Sequence, residues 1–144
     1  MIETPSSQTG RGMVFRGIVI EESLADKAVL SNLRIVETET AAVTPKHGTP
    51  WLHQWTLHTV ELDDAIAETV AFRISKSLDP EHGGSWFADF FNEKTHYVIF
   101  LNRVFRIDRH SKPQYDETVQ YGRSLGIPPH QLAFSKEYIG PASV

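Results

Sequence analysis

Residues 85–110, SWFADFFNEKTHYVIFLNRVFRIDRH, decide how this chain folds. Aromatic and β-branched residues fill three short runs, separated by the polar break NEKT and by the pair Asn102–Arg103. That pattern predicts three antiparallel strands joined by tight turns, a β-meander, with Asn102 tolerating the positive φ of a hairpin loop. A two-residue Asn102–Arg103 loop would pair Leu101 with Val104, Phe100 with Phe105, Val98 with Ile107 and His96 with Arg109. An even-length NEKT loop would set Phe91 opposite His96, Asp89 opposite Val98 and Phe87 opposite Phe100. Since side chains alternate along a strand, one face then carries Phe87, Asp89, Phe91, His96, Val98, Phe100, Phe105, Ile107 and Arg109. The other carries Trp86, Ala88, Phe90, Tyr97, Ile99, Leu101, Val104, Arg106 and Asp108. Both faces are largely apolar, whereas a sheet wetted on one side alternates polar with apolar. The meander is therefore expected to be covered twice: by helices on one face, and by a loop, a ligand or a second subunit on the other.

Upstream, MVFRGIVIEE reads as a first strand with Gly17 as a candidate bulge. SLADKAVLSNL offers Ser23 as an N-cap, followed by Leu24, Ala28, Val29 and Leu33 at helical spacing. RIVETETAAVT alternates as a second strand and ends before the turn-like PKHGTP. In WTLHTVEL one strand face carries Thr56, His58, Val60 and Leu62, the other Trp55, Leu57, Thr59 and Glu61. Asp63 can cap a helix whose stripe is Ile66, Val70, Ile74 and Leu78, widened by Ala67 and Ala71. Downstream, SKPQ opens a helix with a capping-box pattern from Ser111 to Gln114. Tyr115, Val119, Gly122 and Leu125 share one side of that helix, and Gly126 with Pro128 and Pro129 stops it. HQLAFS is a candidate last strand.

The expected order is β-α-β-β-α-β-β-β-α. That is an α+β fold on a mostly antiparallel sheet of five to seven strands with two or three helices, ferredoxin-like (split βαβ) at its start. Residues 1–12 read as a flexible arm, 13–136 as a single globular domain and 137–144 as a C-terminal tail.

Composition narrows the function classes. The 144 residues hold no cysteine, which removes thiolate nucleophiles, disulfides and Cys-type zinc sites and fits a cytoplasmic protein. The polar beginning has no apolar leader core, and no run is long enough to span a membrane. A formal charge of −4 counts against a nucleic-acid binder that works by phosphate neutralisation. The seven histidines follow no HExxH-like spacing, so neither a metal nor another cofactor is expected.

The blocks TPWLHQWTLHTVEL, YVIFLNRVFRIDR and SKPQYDETVQYGRSLGIP resemble a group of small uncharacterised microbial proteins. The likeness covers most of residues 14 to 135. It implies a recurrent cytoplasmic domain and supplies no functional residues to transfer.

Two places could carry function. On the meander, Asp89 lies diagonally from His96 and Arg109 across from it, among phenylalanines. Such a trio could make His96 an acid–base group oriented by Asp89, with Arg109 gripping an anion; a self-satisfied structural network is the favoured alternative. The second place is the ring-rich stretch at residues 49–64. There Trp51, His53, Trp55 and His58, with Tyr97 from the meander, are candidate binding residues, and TPWLHQW is a candidate lid over the sheet. Tyr97 is also placed to hydrogen-bond Asp108 across the strands. Three readings stay open: a domain binding a small molecule or protein partner (a homodimer included), a cofactor-independent enzyme, and an RNA-binding sheet.

Overall fold

Six strands form one antiparallel sheet: β1 (Val14–Ile20), β2 (Arg34–Ala42), β3 (Gln54–Asp63), β4 (Phe87–Phe91), β5 (Thr95–Phe100) and β6 (Arg103–Asp108). Two α-helices accompany them, α1 (Asp64–Ser77) and α2 (Lys112–Ser124). This is a computed structural model in which residues 14–81 and 85–141 are described. The expected arm over 1–12 and the glycine pair 83–84 lie outside the described residues.

Spatial order is β2-β3-β1-β4-β5-β6, every neighbouring pair antiparallel. β3 thus lies between β1 and β2, and β1 between β3 and β4. That is the interlocked arrangement of a split βαβ order, with β5 and β6 added beyond β4. The fold is α+β, as its residue pattern predicts.

The segment joining β1 to β2 is not the expected helix. It forms 3-10 turns at Glu21–Ser23 and Lys27–Asn32. Instead of capping, Ser23 is buried and its hydroxyl donates to the Ile20 carbonyl, while Asp26 accepts from the Ala28 amide. The cause is tertiary: the amides of Ala25 and Asp26 both donate to the Ser77 carbonyl, and the Asp79 amide donates to that of Ser23. Those bonds tie the segment to the end of α1 and divert donors from a helical ladder.

Ala67, Val70, Ala71 and Ile74 of α1, with Leu78 at its C-cap, are buried against the sheet. They join Phe15, Val19, Val60, Leu62, Phe90, Tyr97 and Ile99 in one core. Ile66 departs from the expected stripe. It lies in the first turn, beside Val14 and Asp63 at the sheet's end, and stays exposed.

The meander pairs Phe87 with Phe100, Asp89 with Val98 and Phe91 with His96, as expected. Its second hairpin turns one residue early. Leu101 and Asn102 form the loop, so Phe100 pairs with Arg103, Val98 with Phe105, Tyr97 with Arg106 and His96 with Ile107. Asn102 carries the positive φ of 61°, and α1 anchors the turn: the Asn102 amide donates to the Ser75 carbonyl, and Lys76 Nζ donates to Asn102 Oδ1. The resulting shift is two residues, so every side chain keeps its expected face. Tyr97 meets Arg106 rather than Asp108.

The second meander face is covered by the chain itself. Tyr115 of α2, then Ile127, Leu132 and Phe134, close over Val98, Phe100 and Ile107. The TPWLHQW segment is not that cover. It stands at the start of β3, where Leu52 and Trp55 pack against the edge of the larger core, Trp55 on the ring of Trp86. HQLAFS forms 3-10 turns, Pro129–Gln131 and Ala133–Glu137, rather than a strand. Proline at 129 has no amide proton for a ladder, and both Leu132 and Phe134 are drawn into the core. Beyond β4 the same face lies open over β1, β3 and β2, where Ile18 is 42% exposed in the middle of the sheet.

Candidate functional site

At the boundary between the covered and open halves runs a groove of about 250 Å³. Ile18 and Ile20 of β1, Phe87 and Asp89 of β4, and Trp55 of β3 line it, with Ser85, Trp86 and Gln131 at its wall. β-alternation explains the set. Ile18 pairs with Asp89 across β1 and β4, and both point away from α1, as do Ile20 and Phe87. A smaller recess of about 100 Å³ adjoins it, sharing Trp55, Ser85, Trp86 and Gln131 and adding His47, Trp51 and Pro128. All three tryptophans of the chain therefore border this corner.

The corner is held by polar contacts. Trp55 donates its indole N–H to Thr49 Oγ1 at 3.0 Å, and its ring meets those of His47 edge-on and Trp86 at a tilt. Gln131 Nε2 donates to the carbonyls of Lys46 and His47, at 3.0 and 2.9 Å, fastening the loop before β3 to the segment after α2. His130 Nε2 also bonds the Lys46 carbonyl.

Asp89 and His96 meet at 2.7 Å, Oδ2 to Nε2. The two ends of that pair differ sharply. Asp89 is 26% exposed and lines the groove, while His96 has no exposed surface and is enclosed by Phe91, Tyr115 and Phe134. Its Nδ1 lies 2.9 Å from the Tyr115 hydroxyl. A carboxylate only accepts, so Nε2–H donates to Asp89 and Nδ1 accepts the Tyr115 O–H. The chain Tyr115–His96–Asp89 thus runs from core to groove, and Asp89 is the member a ligand can touch. Asp89 Oδ1 takes no protein donor among the described residues.

Burial pushes the Tyr115 phenol from 10 up to about 12, partly offset by the Arg109 guanidinium. The phenol therefore keeps its proton well past neutral pH. A pKa raised by folding gives a contribution that is complete below pH 10 and is lost as pH rises through about 12. Unfolding free energy measured across that window is expected to decline, and Tyr115→Phe should remove that part of the decline.

Arg109 does not join the pair. Its Nε donates to the Glu137 carbonyl, Nη1 to the Asn92 carbonyl and Nη2 to Glu137 Oε1, and its guanidinium lies over the Phe91 ring. It clamps the C-terminal segment to the meander's first turn. His58 points to the α1 side, bonded by Thr38 at Nδ1 and Glu21 at Nε2. Tyr97 is in the core between Phe15 and Phe90, on that same side. His53 is exposed ahead of β3, its carbonyl accepting from the Val43 amide. Trp51 and Trp55 are thus the expected binding residues that reach the groove corner. Ile18, Trp86, Phe87 and Gln131 were not singled out by sequence. Only the pairing of β1 with β4 and the return of the chain after α2 bring them together.

No described helix is long and apolar enough to cross a membrane. No family model, curated protein or solved structure matches the chain.

Proposed function

We propose that this protein is a binding domain that takes a small, largely apolar ligand in the groove floored by Ile18, Ile20 and Phe87 and walled by Trp55 and Trp86. One observation carries the reading: a branched apolar side chain, Ile18, stays exposed at mid-sheet directly beside a carboxylate and two indoles. Concave, mostly apolar sites with few polar groups are the usual form of small-molecule sites. Intrinsic fluorescence should report occupancy, because every tryptophan borders the corner. Neutral ring compounds such as 2-phenylethanol are expected to change the emission saturably. Ile18→Thr keeps a β-branched residue but removes apolar area, worth ~1 kcal/mol, and should weaken such a probe about fivefold. Unchanged affinity in that variant would place the ligand elsewhere.

The Tyr115–His96–Asp89 chain favours a second reading, proton transfer between Asp89 and a bound substrate. There Asp89 is the catalytic residue, and His96 and Tyr115 position it. That reading requires an activity that Asp89→Asn abolishes while a neutral ligand still binds.

A further inference from the structure

We propose that the groove selects a protonated amine carried on a flat apolar body, an inference that rests on the binding reading above. Three features of the lining point to that class. The charged group is Asp89, with Oδ2 fixed by His96 and Oδ1 without a donor among the described residues. Both amide hydrogens of Gln131 engage loop carbonyls, which settles the side chain's orientation and leaves Oε1 an acceptor with no donor among the described residues. The rings beside them, Trp55, Trp86 and Phe87, give the groove an aromatic lining, which suits an organic cation better than an anion. The Trp55 N–H is already bonded to Thr49. That of Trp86 takes no protein acceptor among the described residues, but it is neutral and does not change the sign of charge the groove favours.

The surrounding charges agree. Glu37 and Glu39 of β2 lie on the open side of the sheet, in register with Thr59 and Leu57 of β3. Two cations near this face are paired, Arg16 with Glu61 and Arg109 with Asn92 and Glu137. A carboxylate ligand would meet Asp89, and no lysine or arginine is among the described residues lining the groove. An alcohol could donate its O–H to the Asp89 carboxylate but would bring no opposite charge, so it forgoes the ion-pair attraction that an ammonium adds.

The test is a matched series read by tryptophan fluorescence: 2-phenylethylamine, 2-phenylethanol and 3-phenylpropanoate, which share a ring and a two-carbon arm. The amine is expected to bind on the order of tenfold tighter than the alcohol, and the carboxylate weakest. Asp89→Asn retains an acceptor for His96 and should bring the amine down to the affinity of the alcohol. Ile18→Lys, on the exposed floor beside Asp89, should supply an internal ammonium and block the added amine without unfolding the sheet. If amine and alcohol bind equally, or the carboxylate binds best, the amine proposal is overturned and the groove stands. If none of the three perturbs the tryptophans, both fall together.

Discussion

His96→Ala is expected to cost about 4 kcal/mol of stability and to lower the melting temperature by roughly 10 °C or more. Two losses combine. Removing a fully buried imidazole leaves a hole among Phe91, Tyr115 and Phe134, whose rings pack on it at 5.1, 5.6 and 6.2 Å between centroids. Truncating a buried side chain of that size to alanine costs ~2–5 kcal/mol, the spread reflecting how far the site can collapse. The Tyr115 hydroxyl then loses its acceptor in a dry environment, a further ~1–3 kcal/mol. Asp89 provides the contrast. It is partly exposed, and Asp89→Asn keeps an oxygen for Nε2–H, so it should stay within about 1 kcal/mol of wild type in urea denaturation. A His96→Ala protein as stable as Asp89→Asn would refute the view that the imidazole is a core residue holding a groove carboxylate in place.

Legibility followed the range of the interaction. The meander faces were readable because strand alternation is local and strict, and even a hairpin turning one residue early left each side chain on its expected face. Hence Asp89 and His96 could be placed together from spacing alone. What spacing could not tell was which of them faces solvent. Tyr115 and Phe134 are 19 and 38 positions beyond His96, and their closure over it buries the imidazole. Arg109 was placed correctly by face and wrongly by partner, since Glu137 lies in a segment whose return has no periodic signature. The turns after β1 failed as a helix for a related reason. Ala25 and Asp26 donate to Ser77, a carbonyl about fifty residues away, and that choice outweighs a weak local helical pattern. The groove was the least legible feature, because its floor joins β1 to β4 across nearly seventy residues.

Gly17→Ala is expected to be among the most damaging single-methyl changes in the chain, costing ~3 kcal/mol or more. Register runs without interruption through Gly17 toward both neighbouring strands, so it is not the bulge its place in a strand suggests. Its role is close approach. A Cβ there would lie 1.9 Å from the Asp89 carbonyl oxygen and 2.4 Å from the Phe90 Cα. Both obstacles are backbone, so no rotamer change relieves the clash and β1 must move away from β4. Only Arg16, Gly17 and Ile18 pair with Phe91, Phe90 and Asp89, and that short seam joins the β2-β3-β1 half of the sheet to the β4-β5-β6 half. Opening it also parts Ile18 from Asp89, so ligand-induced fluorescence changes should vanish along with stability. Gly126→Ala separates steric from conformational cost: its φ is +85° and a Cβ there meets nothing within 4 Å. That variant should lose only about 1–2 kcal/mol, the penalty of a left-handed backbone for alanine, and keep its groove. Equal losses in the two variants, or a Gly17→Ala protein that still binds 2-phenylethanol, would mean that the two halves are not joined through this contact.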